Sequence, residues 1–383
     1  SFFGRFKDTF FWFRKFSRTL VVINLKYFNI IFTGILTTDW IMTFIQHLTR
    51  GSLFLIGLAF FFSCTTAPPE EPVSAPVKLI FDTDFGGDAD DLGALAMLNH
   101  FQNKGEVDLL AVMCWNVEKY AVNAIDAVNT YYGNPDIPIG LRKPGFYETP
   151  WNHSKVLADS LPHDATRDNV PESTKLYRKI LAESDNQSLT VVTVGPLLNI
   201  KNLIDSKADQ YSQLHGKDLI ASKVIEFVIM GGKFPSSEDE WNFNGDMPGV
   251  TKYVIENLPV PITFSGAELG AEIRTGEVFN ELPMDSPLYL GFFHFSQYAP
   301  WMNHQFKGKI YDNATFDQTA VLYAIRNGVG TYWSEVTNGR CVPDSTGGNT
   351  WVEDENSNHS YLVRTMALPD IETAFENFML GNF

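Results

Sequence analysis

Short apolar runs alternate with segments of helical periodicity along the chain from Val77 onward. The apolar runs are rich in branched residues and end at polar or glycine-containing turns, which is typical of buried strands. We predict strands at Val77–Phe81, Val107–Cys114, Ile137–Leu141, Leu189–Val194, Val224–Met230 and Pro261–Phe264. The periodic segments predict helices at Leu92–Phe101, Glu118–Tyr132, Leu197–Asp205 and Phe316–Arg326.

Strands that are apolar along their whole length and alternate with helices are typical of a parallel sheet covered on both faces. The sequence therefore predicts the α/β class: a mainly parallel open sheet with helices on both faces and a Rossmann-like core. No internal repeat and no second boundary interrupts residues 77–383, which we interpret as a single domain. Trp151–Pro171 and Phe234–Asp239 are predicted to be loops.

The segment before this domain has the layout of an export signal. A mildly basic lead at Met42–Arg50 precedes an uninterrupted apolar run at Leu53–Phe62, and a small residue and Cys64 follow. The cysteine after a small residue resembles a bacterial lipobox, in which Phe61 replaces the usual leucine. We expect lipid on Cys64.

These patterns divide the N-terminal part of the chain. Residues 1–63 are expected to be an upstream segment and signal peptide, with Met42 as the true start, and residues 64–76 a flexible linker. The expected location is the bacterial cell envelope, lipid-anchored or secreted, with the membrane as a partner through the anchor.

Charge excludes one class of partner. The chain has 45 acidic and 29 basic side chains, and seven of the basic ones lie within residues 1–50. The remainder is strongly acidic and offers no basic patch for nucleic acid. Cys114 and Cys341 could form one bridge or remain two buried thiols, so no disulfide framework is predicted.

Aspartates are concentrated at the end of the first predicted strand. The stretch Lys78–Asp91, K-L-I-F-D-T-D-F-G-G-D-A-D-D, holds five of them. Their mutual repulsion grows as water is excluded, so such a cluster usually surrounds a cation or holds a proton. In open α/β sheets the carboxyl ends of strands meet at the ligand site. Asn116, Gly195 and Gly231 follow other predicted strands and should lie at the same edge.

Three interpretations of the cluster compete. A haloacid-dehalogenase-type phosphotransferase also begins with strand-D-x-D, but Gly86 stands where that family usually has Thr or Val. An EF-hand calcium loop would explain the spaced acids, but the glycine and closing glutamate are out of register. The third interpretation is a metal site built from strand ends, with further carboxylates supplied from far along the chain.

Five motifs, in the expected order, favour the third interpretation. D-T-D-F-G-G-D-A-D-D resembles the N-terminal fingerprint of the nucleoside hydrolases, the inosine–uridine-preferring family. The other four resemble that family's G-N-V…N-A-L, G-P-L-T-N, M-G-G…E-F-N-x-x-x-D and H-D-P-x-A-V segments. They begin at Trp115, Val194, Met230 and Phe316. The resemblance covers roughly residues 78–326 and implies that residues 77–383 form one catalytic domain.

The resemblance implies a calcium-dependent hydrolase that cleaves the N-glycosidic bond of ribonucleosides or related ribosides. Such cleavage needs a positioned water and an oxocarbenium-like transition state, and Ca²⁺ accepts six to eight oxygen ligands. The implied Ca²⁺ ligands are the carboxylates of Asp84, Asp91 and Asp317 and the carbonyl of Val194. Asp84 would also take the proton of the attacking water. The implied sugar-binding residues are Asp90, Asn116, Glu240 and Asn242.

The chain departs from the family pattern in two places. Two residues are added between Gly86 and Asp90, and one nearby acid, Asp88, has either a site role or an exposed turn position. Phe316 replaces a histidine that helps protonate the leaving base in some members. The histidines that could substitute, none of them favoured, are His153, His163, His294 and His304. Asp82 is expected to make supporting hydrogen bonds.

Two classes of function remain open at this stage. One is the hydrolase, with a small-molecule riboside as its substrate. The other is a non-catalytic surface lipoprotein that binds sugars or nucleosides. The intact Asp84 favours the hydrolase, because its implied role is hydrolytic. The family's dimers and tetramers make a homo-oligomer an expectation that the sequence cannot test.

Overall fold

The computed structural model describes residues 75–383. The predicted signal peptide, the lipid site at Cys64 and nearly all of the predicted linker lie outside the described residues. The boundaries assigned to those segments therefore stay predictions. Within 75–383 no helix has both the length and the apolar character that a membrane crossing requires.

The main sheet has eight strands in the order β10-β13-β7-β5-β4-β1-β2-β3. Neighbouring strands are parallel except β10 and β13 at one edge. The predicted open, mainly parallel sheet is confirmed. The strands of the described residues are β1 Val77–Thr83, β2 Val107–Cys114, β3 Ile139–Leu141, β4 Leu189–Thr193, β5 Val224–Met230, β6 Ser236–Ser237, β7 Ile262–Ser265, β8 Arg274–Thr275, β9 Asn313–Ala314, β10 Trp333–Val336, β11 Gly339–Pro343, β12 Asn349–Glu353 and β13 His359–Arg364.

Helices cover both faces of this sheet, as predicted. Successive side chains of a strand point to opposite faces, so Leu79 and Phe81 pack into one apolar core and Ile80 into the other. The α-helices of the described residues are α1 Asp90–Lys104, α2 Ala121–Tyr131, α3 Ser154–Ser160, α4 Ser173–Glu183, α5 Leu198–Asp205, α6 Gly216–Lys223, α7 Trp241–Asn244, α8 Val250–Asn257, α9 Ala267–Glu272, α10 Pro287–Tyr298, α11 Asp317–Arg326 and α12 Leu368–Met379.

The predicted loop Trp151–Pro171 is wrong in part, because it contains α3. This helix has only about two turns and buries Leu157 and Ala158, which is too few apolar positions to give a visible period. The predicted loop Phe234–Asp239 contains the two-residue strand β6. Cys114 and Cys341 are both buried and unbridged, so the two-thiol alternative holds.

A small second sheet lies beside the carboxyl end of β5. β11 and β12 form a hairpin, and β12 pairs with β6. Asn349 at the start of β12 accepts a hydrogen bond from the Lys233 N–H at 3.0 Å and donates to the Lys233 carbonyl at 2.9 Å. The hairpin therefore braces the turn that follows β5.

Arg326 is expected to contribute strongly to stability, because it joins the end of α11 to the turn before β2. Its guanidinium makes two hydrogen bonds of 2.7 Å to the Glu106 carboxylate and lies 4.8 Å from the Phe101 ring centre and 4.9 Å from that of Phe378. Both charged groups keep about a quarter of their surface exposed, 28% each, which weakens the pair. We expect Arg326→Ala to lower the free energy of unfolding by about 1–3 kcal/mol, measured by denaturant titration.

Arg340 provides the matched control. Its single contact with the Asp354 carboxylate, 3.3 Å long, lies at the surface. We expect Arg340→Ala to cost less than about 0.5 kcal/mol. Equal losses for the two variants would contradict the role given to the aromatic rings around Arg326.

Candidate active site

The carboxyl ends of β1, β2, β4 and β5 open into one cavity of about 480 Å³. All of the predicted ligand and sugar-binding residues line this cavity. They are Asp84, Asp90, Asp91, Asn116, Val194, Glu240, Asn242 and Asp317. The sequence thus predicted a set of residues that the fold brings together from positions more than two hundred residues apart.

Three carboxylates form the tightest acidic group in the cavity. One oxygen from each of Asp90, Asp91 and Asp317 lies within 4.8 Å of the other two, and we call these residues the carboxylate triad. Asp90 and Asp91 are in the first turn of α1, and Asp317 begins α11, so the positive ends of two helices face the triad. This grouping differs from the ligand set implied by the sequence, because Asp90 stands in it and Asp84 does not.

Gly93, in the first turns of α1, packs closely against a side chain of α11. A Cβ atom at this position would lie 2.3 Å from Nε2 of Gln318 on α11. A larger residue would have to displace the Gln318 side chain and the Met379 sulfur, which would lie 2.7 Å from the added Cβ. The Thr83 hydroxyl, at the end of β1, donates to Asp91 and fixes that carboxylate from below.

Within residues 75–383 the charges of the triad have no counter-ion. Burial raises the pKa of Asp90, Asp91 and Asp317 well above the usual range, and the neighbouring carboxylates raise it further. No salt bridge within residues 75–383 reaches any of the three. Buried carboxylate oxygens that share one small volume are the donor set of a hard divalent cation. The residues present therefore fit a metal ion.

Asp84 lies immediately after β1, at the edge of the triad. Its Oδ2 accepts a hydrogen bond of 3.2 Å from the indole N–H of Trp241. The turn after β4 passes close by, since a Cβ on Gly195 would lie 2.9 Å from the Cβ of Asp84. Burial raises the pKa of Asp84 to about 6, with Asp88 adding to the rise.

Glu240 and Asn242 hold the turns that surround the cavity. The Glu240 carboxylate accepts from the Gly232 N–H at 2.8 Å and from the Asn242 N–H at 3.1 Å. The Asn242 amide donates to the carbonyls of Val194 at 2.9 Å and Met230 at 3.1 Å. A carbonyl oxygen has two lone pairs, so Val194 retains one for another partner.

Asn116 lines the cavity but uses its side chain to fix the backbone. Its amide donates to the Asp84 carbonyl at 2.8 Å and the Phe85 carbonyl at 3.2 Å, and its oxygen accepts from the Glu118 N–H at 2.9 Å. These bonds shape the turn that carries Asp84. The contact with a sugar that the sequence implied for Asn116 stays a prediction.

The two remaining aspartates of the cluster have different surroundings. Asp82 lies beneath the cavity, where it accepts from the Tyr177 hydroxyl at 2.7 Å and the Asn199 amide at 3.0 Å. This arrangement agrees with the expected supporting hydrogen bonds. Asp88 lines the cavity and accepts from the Ala89 N–H and the Asn313 amide.

Aromatic side chains line much of the cavity, and sequence reasoning missed three of them. They are Tyr147, Trp151 and Trp301, which join Trp115, Trp241 and Phe316. Trp151 and Trp301 come from distant loops and meet edge to face, 5.2 Å between ring centres. The sequence pattern that could have identified Trp151 and Trp301 is a tryptophan directly after a proline in each loop, Pro150-Trp151 and Pro300-Trp301.

None of the histidines considered from the sequence lines the cavity. His153 is fully buried against the Phe85 ring, 5.3 Å between ring centres, and burial lowers its pKa to about 3. A ring nitrogen of His294 lies 3.0 Å from the Pro150 carbonyl. Phe316 does line the cavity, directly before Asp317.

Comparisons with known proteins identify the same family as the motifs do. The sequence profile of a family described as inosine-uridine preferring nucleoside hydrolase matches residues 79–373. A search of curated protein sequences finds no match.

Several solved structures share this fold. A nucleoside hydrolase of that description from Bacillus anthracis superimposes with a TM-score of 0.54 at 14% identity, covering 79% of this chain and 99% of its own. A purine-preferring ribonucleoside hydrolase from Gardnerella vaginalis gives 0.57 at 14% identity, covering 80% and 99%. A plant nucleoside hydrolase gives 0.57 at 16% identity, covering 79% and 99%.

Proposed function

The chain belongs to the inosine-uridine preferring nucleoside hydrolase family, and on that premise we propose that it hydrolyses ribonucleosides with the help of a bound calcium ion. The proposed products are free ribose and the released base. Family membership supports ribonucleoside hydrolysis, and the identification of the metal as calcium is our addition to it. The observation that carries this step is a buried carboxylate triad with no counter-ion from the described chain, next to Asp84 in an aromatic-lined cavity.

We assign the carboxylate triad and the Val194 carbonyl to Ca²⁺, with Asp84 at its edge. All of these donors are oxygens, and two belong to one helical turn, which suits the flexible coordination of Ca²⁺ better than the strict octahedron of Mg²⁺. When bound, the ion would offset the carboxylate charge, bind sugar hydroxyls and lower the pKa of a water molecule.

The chain's own residues would supply positioning and proton transfer. The Asp84 carboxylate would accept the proton of the attacking water, and the Trp241 N–H holds that carboxylate in place. Glu240 and Asn242 keep the turns after β4 and β5 fixed around the sugar. The positive, oxocarbenium-like charge of the transition state would develop near the carboxylates of Asp84 and Glu240. Their negative charge would stabilise it.

The aromatic lining favours a flat, conjugated leaving group. Trp151, Trp301 and Phe316 line the cavity, and a base stacked on such rings would be held with little regard to its hydrogen-bonding edge. Tyr147 is a hydroxyl donor on the cavity wall, whereas no histidine of the described residues lines it. We therefore propose purine or other aromatic bases as the leaving groups, rather than aliphatic ones.

Ribose release tests this function. The protein loaded with calcium is incubated with purine and pyrimidine ribonucleosides and with nitrophenyl riboside, and free ribose is followed with and without chelator. Chelator-sensitive release from natural nucleosides is the expected result. Release from the nitrophenyl compound alone would show that the water and sugar sites work but that the natural base is not the leaving group.

We also propose that lipid on Cys64 holds the protein at the bacterial envelope. The support is the sequence pattern around Cys64, since that residue lies outside the described part of the chain. In cells, Cys64→Ser is expected to move the protein from the membrane fraction to the soluble fraction. Cys114→Ser, which replaces a buried thiol, is the control and should leave the distribution between membrane and soluble fractions unchanged.

A further inference from the structure

A second cavity, of about 790 Å³, lies beside the segment that carries Trp151 into the catalytic cavity. Thr149, Pro150 and Asn152, on either side of Trp151 in sequence, line the second cavity. Side chains of α3 and α10 complete its lining. The two cavities share no lining residue, so the second one is separate from the site already described.

Two buried hydrogen-bond donors of this cavity have no partner within residues 75–383. They are the Thr149 hydroxyl and the Nδ2 group of Asn152, a residue that is only 2% exposed. The Asn152 amide oxygen accepts from the Ser154 N–H at 2.8 Å, which fixes the orientation of the amide and leaves its N–H₂ end free. Buried polar groups in native proteins almost always have a partner. These two donors therefore indicate a bound molecule that carries acceptor atoms.

The charged side chains of the cavity favour a neutral ligand. The Lys155 ammonium contacts the Asp159 carboxylate one turn along α3, and the Glu148 carboxylate lies 3.3 Å from the ammonium of Lys119. An anion would have to displace one of these carboxylates, and a cation would have to displace an ammonium. A neutral ligand can bind without breaking either pair.

The hydrogen-bonding groups of the cavity match a polyol. Thr149 and Asn152 supply donors, and the two paired carboxylates keep lone pairs that accept, while each sugar hydroxyl donates and accepts at once. The rings of Tyr298 and His294 touch each other, 4.6 Å between their centres, so they form a single aromatic surface. Tyr298 is 46% exposed and can pack against the C–H face of a sugar. A nucleobase is usually held between two apolar faces instead.

We propose that this second cavity binds a neutral sugar of pentose or hexose size, held by the Thr149 hydroxyl, the Asn152 amide and the Tyr298 ring. The site shares no residue with the carboxylate triad and needs no metal ion. It therefore stands whether or not the catalytic cavity hydrolyses ribonucleosides, and chelation of the metal separates the two sites in an experiment.

An NMR titration of the protein with D-ribose, in the presence of chelator, tests this site. The chelator removes any ion that could hold sugar hydroxyls in the catalytic cavity. Ribose should bind, and ribose 5-phosphate should bind at least about tenfold more weakly, because it brings negative charge next to two carboxylates. Adenine, the probe for a base, should bind at least about tenfold more weakly than ribose.

Two variants locate the binding in the second cavity. Thr149→Val keeps the shape of the side chain and loses the hydroxyl, so it should raise the Kd for ribose about fivefold or more. Because that hydroxyl is buried without a partner, the variant should keep or raise the Tm of the sugar-free protein. Tyr298→Leu removes the exposed ring and should raise the Kd by a similar factor. Tyr211→Leu, an exposed ring outside both cavities, is the control and should leave the Kd unchanged.

Three results would overturn the proposal. One is the absence of ribose binding by the wild-type protein. Another is a Kd for ribose that stays the same in both Thr149→Val and Tyr298→Leu, and if Thr149→Val does not fold, Tyr298→Leu alone decides. The third is adenine or ribose 5-phosphate binding as tightly as ribose, because the ligand would then not be a neutral sugar.

Discussion

The Asp84→Asn variant is expected to hydrolyse ribonucleosides with a kcat reduced by about 10³-fold, while its affinity for the nucleoside changes by less than about tenfold. Asparagine keeps the shape of the side chain, and its oxygen can still accept the Trp241 N–H. What it loses is the ability to take a proton from water. The loss should therefore fall on kcat and spare KM, measured from initial rates of base release.

Asp88→Asn is the matched control for this variant. Asp88 lies in the same turn and lines the same cavity, but its carboxylate is already bound to the Ala89 N–H and the Asn313 amide. We expect a change in kcat of less than about tenfold. If Asp88→Asn abolished turnover and Asp84→Asn preserved it, the assignment of the base would be wrong.

Calcium is expected to stabilise the protein, and the stabilisation should grow as the pH rises from about 5 to about 8. An unfolded aspartate has a pKa of about 3.9. In the folded chain without metal, burial raises the pKa of Asp84 and Asp88 to about 6 and those of the carboxylate triad well above the usual range. The folded state therefore holds protons that the unfolded state has already released.

The sign follows from this difference in bound protons. Stability from these groups is fully present below the unfolded pKa and is lost as the pH rises through the folded values, because the carboxylates must then ionise together. Calcium would replace the protons and remove the loss. At about one hundred times its Kd the ion contributes roughly 2.7 kcal/mol, which raises Tm by about 5 °C in a domain of this size.

Thermal unfolding with calcium and with chelator, across that pH range, measures this effect. Asp317→Asn removes one triad charge, so it should raise the Tm of the metal-free protein at high pH and reduce the calcium-induced shift. The Asp312 carboxylate accepts from the Glu277 N–H at the surface. Asp312→Asn should therefore change neither the Tm of the metal-free protein nor the calcium-induced shift. A calcium shift that is absent, or that shrinks as the pH rises, would contradict the metal assignment.

The sequence was a good guide to the strand ends because the same residues determine both the fold and the site. The apolar residues of β1 end at Phe81. Asp82, still within the strand, makes hydrogen bonds to Tyr177 and Asn199, and Asp84 follows directly after the strand. Parallel strands place these ends at one edge of the sheet, so Asp84, Asn116 and Val194 could be brought together without knowing any side-chain position. Helix periodicity then placed Asp317 at an N-terminus.

The sequence was a poor guide wherever the site depends on segments without a period. Trp151 and Trp301 meet across more than one hundred residues, and no local pattern encodes that contact. The brace from Asn349 to Lys233 arises from a short hairpin that pattern analysis did not register. The hydrogen bonds of the Asn116 side chain to the backbone depend on three-dimensional geometry, which residue spacing in the sequence does not reveal.

Hydrolysis in water enriched in a heavy oxygen isotope tests the central claim most directly. The calcium-loaded protein is incubated with a purine ribonucleoside, and both products are analysed by mass spectrometry soon after release. The account predicts one heavy oxygen in ribose, none in the base, and neither product when the metal is chelated. Intact nucleoside bound at the site without any labelled ribose would instead identify a binding protein and contradict the account.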